Sequence, residues 1–141
     1  MTLGAALLVL AGCTSGGEAP KADGTAPAGD QSKPFKVALL TPGPVSDAGW
    51  NAMAYKGLQA IEKELGATVN NQEATGSQKL DAMRSYAQDG YTLMLGHGFE
   101  YNDPAAELGP AFPDTFFVTS SGGKTGPNVG AFRFYLEQGF Y

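Results

Sequence analysis

The sequence predicts an α/β fold with a doubly wound, mostly parallel sheet. Short apolar runs without a polar face alternate with longer amphipathic segments, and glycines stand where those longer segments end. A strand without a polar face is typical of a sheet that is covered on both sides. Strands that alternate with helices need crossover connections, which make neighbouring strands parallel.

The first two elements carry this pattern most clearly. Phe35–Leu40 is a short, largely apolar run without a polar face and is predicted to be a buried strand. Asp47–Leu65 has helical spacing, and Gly66 occupies the position that commonly ends a helix. The apolar residues on one face of this helix are Ala54, Leu58, Ile61 and Leu65.

The alternation continues to the end of the chain. The further predicted elements are a strand at Ala67–Asn70, a helix at Ser77–Asp89, a strand at Tyr91–Leu95, a short helix at Asp103–Leu108, a strand at Thr115–Ser120 and a fifth strand at Val129–Phe134. Within the second helix, Leu80, Met83 and Ala87 form the inner stripe, and Gly90 ends it.

The N-terminus has the features of a lipoprotein leader. Leu3–Leu10 is apolar, too short to span a bilayer, and as long as a signal-peptide core. Leu10-Ala11-Gly12-Cys13 resembles the bacterial lipobox, in which the cysteine receives a diacylglyceryl group. We therefore expect residues 1–12 to be a signal peptide and Cys13 to be the lipidated, extracytoplasmic N-terminus. The alternative is a buried free cysteine in an N-terminal helix.

Residues 13–34 are predicted to be a flexible tether between the lipid and the domain. From Thr14 to Pro34 the chain has no aromatic and no large aliphatic residue, so it cannot bury enough surface to offset the entropy of ordering. The folded domain is expected at residues 35–141.

Composition and motifs argue against several classes of function. The net charge of −5 is unfavourable for binding nucleic acid, and one cysteine with one histidine makes a dedicated metal site improbable. No G-x-G-x-x-G or G-x-S-x-G motif is present, and Gly122-Gly123-Lys124-Thr125 lacks the earlier glycine of a phosphate-binding loop. Because no pair of nucleophile and base is apparent either, we expect no enzyme activity, no cofactor and no metal.

The expected ligand site lies between the first and third strands. Ligands of doubly wound sheets bind beyond the carboxyl ends of the strands, where the strand order reverses. If the order is 2-1-3-4-5, the loops at that point are Thr41–Trp50 and Gly96–Asp103. Both loops are rich in glycine, aromatic and hydrogen-bonding residues.

Three residues of the first loop and helix are candidate ligand contacts, and two of them also have a structural alternative. Asp47 could bond a ligand, cap the helix, or do both. Trp50 could stack on a planar ring, or it could cover the seam between helix and sheet. Asn51 offers a donor and an acceptor in the same turn.

The second loop repeats the pairing of aromatic and carboxylate side chains. Phe99, Tyr101 and Asp103 provide it, and Phe99 and Asp103 are the candidate ligand contacts. His97, between two glycines, is interpreted as a loop residue rather than a general base.

The chain resembles the basic membrane protein (BMP) family from Phe35 to Tyr141. The similarity lies in KVALLTPGPVSDAGWNAMAYKGLQAIEKELGA, GHGFEYNDPAAELGPAFPDTFFVTSSG and NVGAFRFYLEQGFY. Trp50 stands where the family usually has Phe, within Asp47-Ala48-Gly49-Trp50-Asn51. These proteins are substrate-binding lipoproteins of ABC transporters with the type I periplasmic binding protein fold, and characterised members bind purine nucleosides.

The resemblance implies a role for each matched residue. Trp50 would stack on the base, Asp47 and Asn51 would bond its polar edge, and Asp103 would bond the sugar hydroxyls or the base. The protein would deliver a nucleoside or base to an ABC permease from a lipid anchor. Since such proteins bind in a cleft between two lobes, this chain is expected to be the first, truncated lobe of a longer reading frame. The alternative is a lipid-anchored sensor or surface receptor without a transport role.

Overall fold

A computed structural model describes residues 34–132 as a five-stranded sheet with helices on both faces. In chain order the elements are β1 Lys36–Thr41, α1 Trp50–Leu65, β2 Thr68–Glu73, α2 Gln78–Gln88, β3 Leu93–Gly96, α3 Asn102–Leu108, β4 Phe116–Ser120 and β5 Val129–Phe132. Three predicted segments lie outside the described residues: the leader, the tether from Cys13 up to residue 33, and the last two residues of the fifth strand.

The strand order is the one that the expected ligand site assumes. It is β2-β1-β3-β4-β5, and every pairing is parallel. The register pairs Leu40 of β1 with Gly96 of β3, and Gly96 with Thr119 of β4. The carboxyl ends of β1, β3 and β4 therefore meet at one edge of the sheet, with the order reversal between β1 and β3.

Two buried clusters cover the opposite faces of the sheet. Alternate residues of β1 divide between them, because successive strand side chains point to opposite faces. The larger cluster, under α2 and α3, contains Ala38, Leu40, Met83, Met94, Tyr101 and Phe117. The smaller cluster, under α1, contains Val37, Leu39, Leu58 and Ala67. This arrangement is the doubly wound α/β fold that the alternation of elements predicts.

The first helix begins three residues later than predicted, at Trp50 rather than Asp47. Ala48 has a left-handed backbone (φ 54°), so residues 47–49 cannot form the first turn of the helix. Gly66 ends the helix in the left-handed conformation, as expected (φ 65°), and its N–H donates to the Glu62 carbonyl.

Leu65 does not belong to the buried stripe of α1. It is 66% exposed, whereas Leu58 is buried and Ala54 and Ile61 are half-buried. The helix packs over β1 and the edge strand β2, and no further strand of residues 34–132 lies beyond β2 to cover its last turn.

Residues 34–132 cover the α1 side of the sheet only in part. Leu95 and Val118 are half-buried there, and Phe116 and Phe132 on the same face are 55% and 62% exposed. We refer to these four residues as the open sheet face. Among residues 34–132, no helix is long and apolar enough to cross a bilayer.

Candidate functional site

The carboxylate of Asp47 holds the start of α1. It accepts hydrogen bonds from the N–H groups of Gly49, Asn51 and Ala52, each at 2.9 Å, and from the Asn51 side-chain amide at 3.0 Å. These bonds lower the pKa of Asp47 to about 2, with the Asn51 N–H contributing most. The capping interpretation is thus correct, and these four donors use the roughly four acceptor positions of a carboxylate.

Asn51 is buried and keeps one acceptor without a partner. Its amide nitrogen donates to Asp47, and this bond fixes which end of the amide is oxygen. The Oδ1 atom has no hydrogen-bond partner within residues 34–132. A side chain at Gly43 would come within 3.0 Å of the Asn51 amide nitrogen, so glycine lets the preceding loop approach closely.

Trp50 lies outside the core, which argues against the alternative that it covers the seam between helix and sheet. Its side chain is 53% exposed. The indole stacks on the imidazole of His97, with ring centroids 4.1 Å apart and an interplanar angle of 26°. Trp50 therefore presents an aromatic surface at the edge where β1 and β3 end.

His97, which the sequence indicated only as a loop residue, joins three loops at this edge. Its Nε2 lies 3.0 Å from the Trp50 carbonyl oxygen, and its Nδ1 lies 3.2 Å from the Ser120 hydroxyl at the end of β4. Burial lowers the pKa of His97, while the Trp50 carbonyl and the carboxylates of Asp47 and Glu100 oppose this effect. The position of the histidine directly after a short strand was the only sequence signal for this role.

Phe99 and Asp103 lie further along the second loop. Phe99 opens a short 3₁₀ turn, Phe99–Tyr101, and is 74% exposed. Asp103, in the first turn of α3, pairs with Lys124 at 3.1 Å, and both side chains are largely exposed. Asp103 is thus paired across to the loop after β4 rather than to Trp50 or Asn51. Its proposed contact with a ligand, like that of Phe99, stays a prediction.

Asn102, which sequence reasoning missed, anchors the loop after β4. Its Oδ1 accepts from the N–H groups of Gly123 and Lys124, and its amide nitrogen donates to the Lys124 carbonyl and the Thr119 hydroxyl. Gly122 has a φ of 130°, and a side chain there would collide with Asn102. The sequence around Asn102 carries no signal for this role, because the groups that it bonds lie 17 to 22 residues further along the chain.

Two cavities lie at opposite ends of the strands, and only one of them is at the edge where β1 and β3 end. A cavity of about 180 Å³ runs beneath it and is lined by His97, Ser120, Leu95 and Phe132, among others. A larger one, of about 460 Å³, lies near the start of β4 and β5 and is lined by Pro110, Phe116 and Pro127, among others. Because the polar and aromatic groups gather at the other edge, we place the candidate site there. Within residues 34–132, no group of three or more His, Cys, Asp or Glu could hold a metal ion.

Comparison with known proteins gives the family. The profile of Bmp, described as "ABC transporter substrate-binding protein PnrA-like", matches residues 35–141. The chain belongs to the Bmp family. The match includes every described element and both loops of the candidate site, and the resemblance inferred from the sequence is confirmed.

Relatives of this Bmp chain are longer than it is. It is 30% identical over 138 residues to the transcriptional activator protein med of Bacillus subtilis, covering 96% of this chain and 40% of that protein. It is 32% identical over 127 residues to an uncharacterised lipoprotein of Pyrococcus horikoshii, covering 85% of this chain and 29% of that protein. The chain therefore spans well under half of these relatives.

A solved structure agrees with the Bmp fold. The solute-binding protein of an ABC transporter system from Conexibacter woesei matches with a TM-score of 0.62 and 30% identity, covering 69% of this chain and 34% of that one. The predicted fold, part of the first lobe of a periplasmic binding protein, is confirmed.

Proposed function

We propose that this chain is part of an extracytoplasmic, lipid-anchored solute-binding protein that delivers a small ligand with a planar ring, a purine nucleoside or its base, to an ABC permease. The observation that carries the proposal is the half-exposed indole of Trp50 together with the buried Oδ1 of the next residue, Asn51, which has no partner within residues 34–132. An aromatic face and an unused acceptor at one helix start suit a ring that carries N–H donors at its edge.

In this proposal Asp47 and Asn51 have different tasks. Asp47 has its acceptor positions occupied by the chain, so its task is to hold the Asn51 amide and the start of α1. The Asn51 Oδ1 then accepts from the ligand. A buried acceptor without a partner costs about 1–3 kcal/mol, and a ligand donor relieves that cost.

Family membership supports a permease as the partner, and the resemblance of Leu10-Ala11-Gly12-Cys13 to the lipobox supports the anchor. Cys13 would carry the lipid, and residues 13–34 would let the domain reach the permease. The lipoprotein of P. horikoshii supports this location by its name.

The test is ligand binding by the complete reading frame that contains this chain. Calorimetry with purine nucleosides, pyrimidine nucleosides and free sugars should give the tightest binding for a purine. Trp50→Ala should weaken that binding by roughly 1–3 kcal/mol, the usual effect of losing an aromatic stacking partner of a base. Trp50→Phe should retain most of the affinity because a stacking surface remains.

The matched control is Phe116→Ala, which removes an exposed aromatic residue at the opposite edge of the sheet. It should leave affinity unchanged. Equal losses for Trp50→Ala and Phe116→Ala, or tighter binding of a sugar than of any nucleoside, would contradict the proposal.

A second candidate is a lipid-anchored receptor that signals without transport. The observation that favours it is the similarity to a protein named as a transcriptional activator in B. subtilis. Ligand uptake by cells that lack the reading frame distinguishes the two: uptake falls if the protein serves a permease and is unchanged if it only signals.

A further inference from the structure

His97 is the only histidine of the chain, and the structure holds both its backbone and its ring. The backbone N–H donates to the Leu40 carbonyl at 2.9 Å, which extends the pairing of β1 and β3 by one residue. The ring touches Trp50 from the first loop and Ser120 from the end of β4. One residue therefore connects the end of β1, the start of α1 and the end of β4.

The contacts of the ring fix its tautomer. The Trp50 carbonyl can only accept, so the Nε2 atom must carry the hydrogen. In the neutral ring Nδ1 is then an acceptor, and the Ser120 hydroxyl donates to it. With both nitrogens engaged, the imidazole cannot turn without losing a hydrogen bond.

The fixed imidazole determines what surface Trp50 offers. A half-exposed indole on a helix start would ordinarily sample several rotamers, and ordering it on binding would cost affinity. Here one region of the indole is covered by the imidazole at 4.1 Å, and the exposed remainder is left for a ligand ring.

We propose that His97 is a positioning residue that holds the Trp50 indole as a preformed stacking surface. The inference rests on the proposed function for the role of Trp50 in binding, whereas the fixed orientation of the indole can be tested without any ligand.

Protonation should perturb this arrangement. Burial lowers the pKa of His97 from its ordinary 6.5, more than the hydrogen bond to the Trp50 carbonyl and the facing carboxylates of Asp47 and Glu100 raise it. The neutral ring therefore predominates at pH 7, and protonation has its midpoint below pH 6.5. Protonation also removes the acceptor that Ser120 bonds.

The first test uses the fluorescence of the 141-residue chain, because Trp50 is its only tryptophan. A stacked, protonated imidazole quenches indole, so fluorescence should fall with a midpoint below pH 6.5. His97→Phe should keep the stacked ring and abolish this titration. His97→Ala should let the indole move, and its fluorescence anisotropy should decay faster.

Two controls separate positioning from folding. Circular dichroism reports whether each variant keeps its helices, and His97→Gln, which retains an amide donor for the Trp50 carbonyl, replaces His97→Ala if that variant does not fold. An unchanged anisotropy decay in a folded variant, or a fluorescence titration that persists in His97→Phe, would overturn the proposal.

The second test is affinity in the complete reading frame. His97→Ala should weaken ligand binding roughly two- to tenfold, the range expected for one aromatic pair, and His97→Phe should restore most of it. If the anisotropy responds but no nucleoside binds the parent protein, the proposed function fails and the positioning role stands. If the parent binds and His97→Ala binds equally well, the positioning role in binding is wrong.

Discussion

At the start of α1, one carboxylate accepts three backbone N–H groups and the Asn51 amide. Helix starts leave N–H groups without intrahelical partners, and Asp47 satisfies two of those in α1. The left-handed backbone of Ala48 is what turns the side chain back toward the helix. The same bonds orient the amide whose oxygen is the candidate ligand acceptor, so helix capping and site formation depend on one residue.

We expect Asp47→Asn to lower the melting temperature and to change its pH dependence. The folded pKa of about 2 lies below the ordinary aspartate pKa of 3.8, so the carboxylate stabilises the fold above pH 3.8 and this contribution is lost as the pH falls toward 2. The variant should lack that acid-dependent loss. Thermal unfolding between pH 2 and 5 measures it.

The control is Asp114→Asn, at an exposed aspartate in the turn before β4. In this variant the melting temperature should still fall as the pH drops toward 2, as it does in the parent. If Asp47→Asn lowers ligand affinity but not the melting temperature, the carboxylate is a ligand contact rather than a cap.

At the scale of elements, single side chains at and just before the start of α3 hold the loops after β3 and β4 in place. Tyr101 donates to the Ala74 carbonyl at 2.7 Å and ties the loop after β3 to the end of β2. Asn102 does the same for the loop after β4 through four bonds. The edge of the sheet is thus a connected surface before any ligand arrives.

Asn102→Ala should destabilise the protein by about 1–3 kcal/mol, because it leaves the Gly123 and Lys124 backbone groups without their partner. The midpoint of urea unfolding measures the effect. Asn70→Ala, at an exposed position of the edge strand β2, is the matched control and should stay within about 0.5 kcal/mol of the parent. Equal midpoints for the two variants would show that the loop contributes nothing to stability.

At the scale of the whole molecule, the two faces of the sheet differ. The α2 and α3 side is closed over a continuous core, whereas α1 covers only β1, β2 and part of β3 on the other side. The open sheet face therefore leaves aromatic surface in water at Phe116 and Phe132. Contiguous apolar surface of this kind is unusual in a stable monomer.

We expect the 141-residue chain to bind an apolar dye such as anilinonaphthalene sulfonate at this face. Phe132→Ser should reduce the bound fluorescence, because it removes an aromatic ring that is 62% exposed there. Phe99→Ser, at an even more exposed aromatic residue (74%) away from the open sheet face, should have a smaller effect. A parent chain that binds no dye would mean that this face is covered.

The sequence by itself determined the alternation of elements and the family, whereas the order of the strands was assumed and the structure confirms it. The alternation and the family depend on short-range patterns: strand runs, the spacing along α1, and motifs around Asp47 and Asp103. The sequence also identified Trp50 and Asn51 as candidates, both of which the fold places at the start of α1. It misplaced the start of α1 and the burial of Leu65, because a left-handed turn and the edge of a sheet leave little trace in local spacing.

Only the tertiary structure decided how the site is held. His97 meets the Trp50 carbonyl across 47 residues and Ser120 across 23, and Asn102 reaches Lys124 across 22. Contacts of this length exist because parallel pairing brings the ends of β1, β3 and β4 together, and no spacing within one segment encodes which side chains will then touch. The distribution of roles between Asp47 and Asn51 has the same origin, since it depends on which acceptors the folded loop has already occupied.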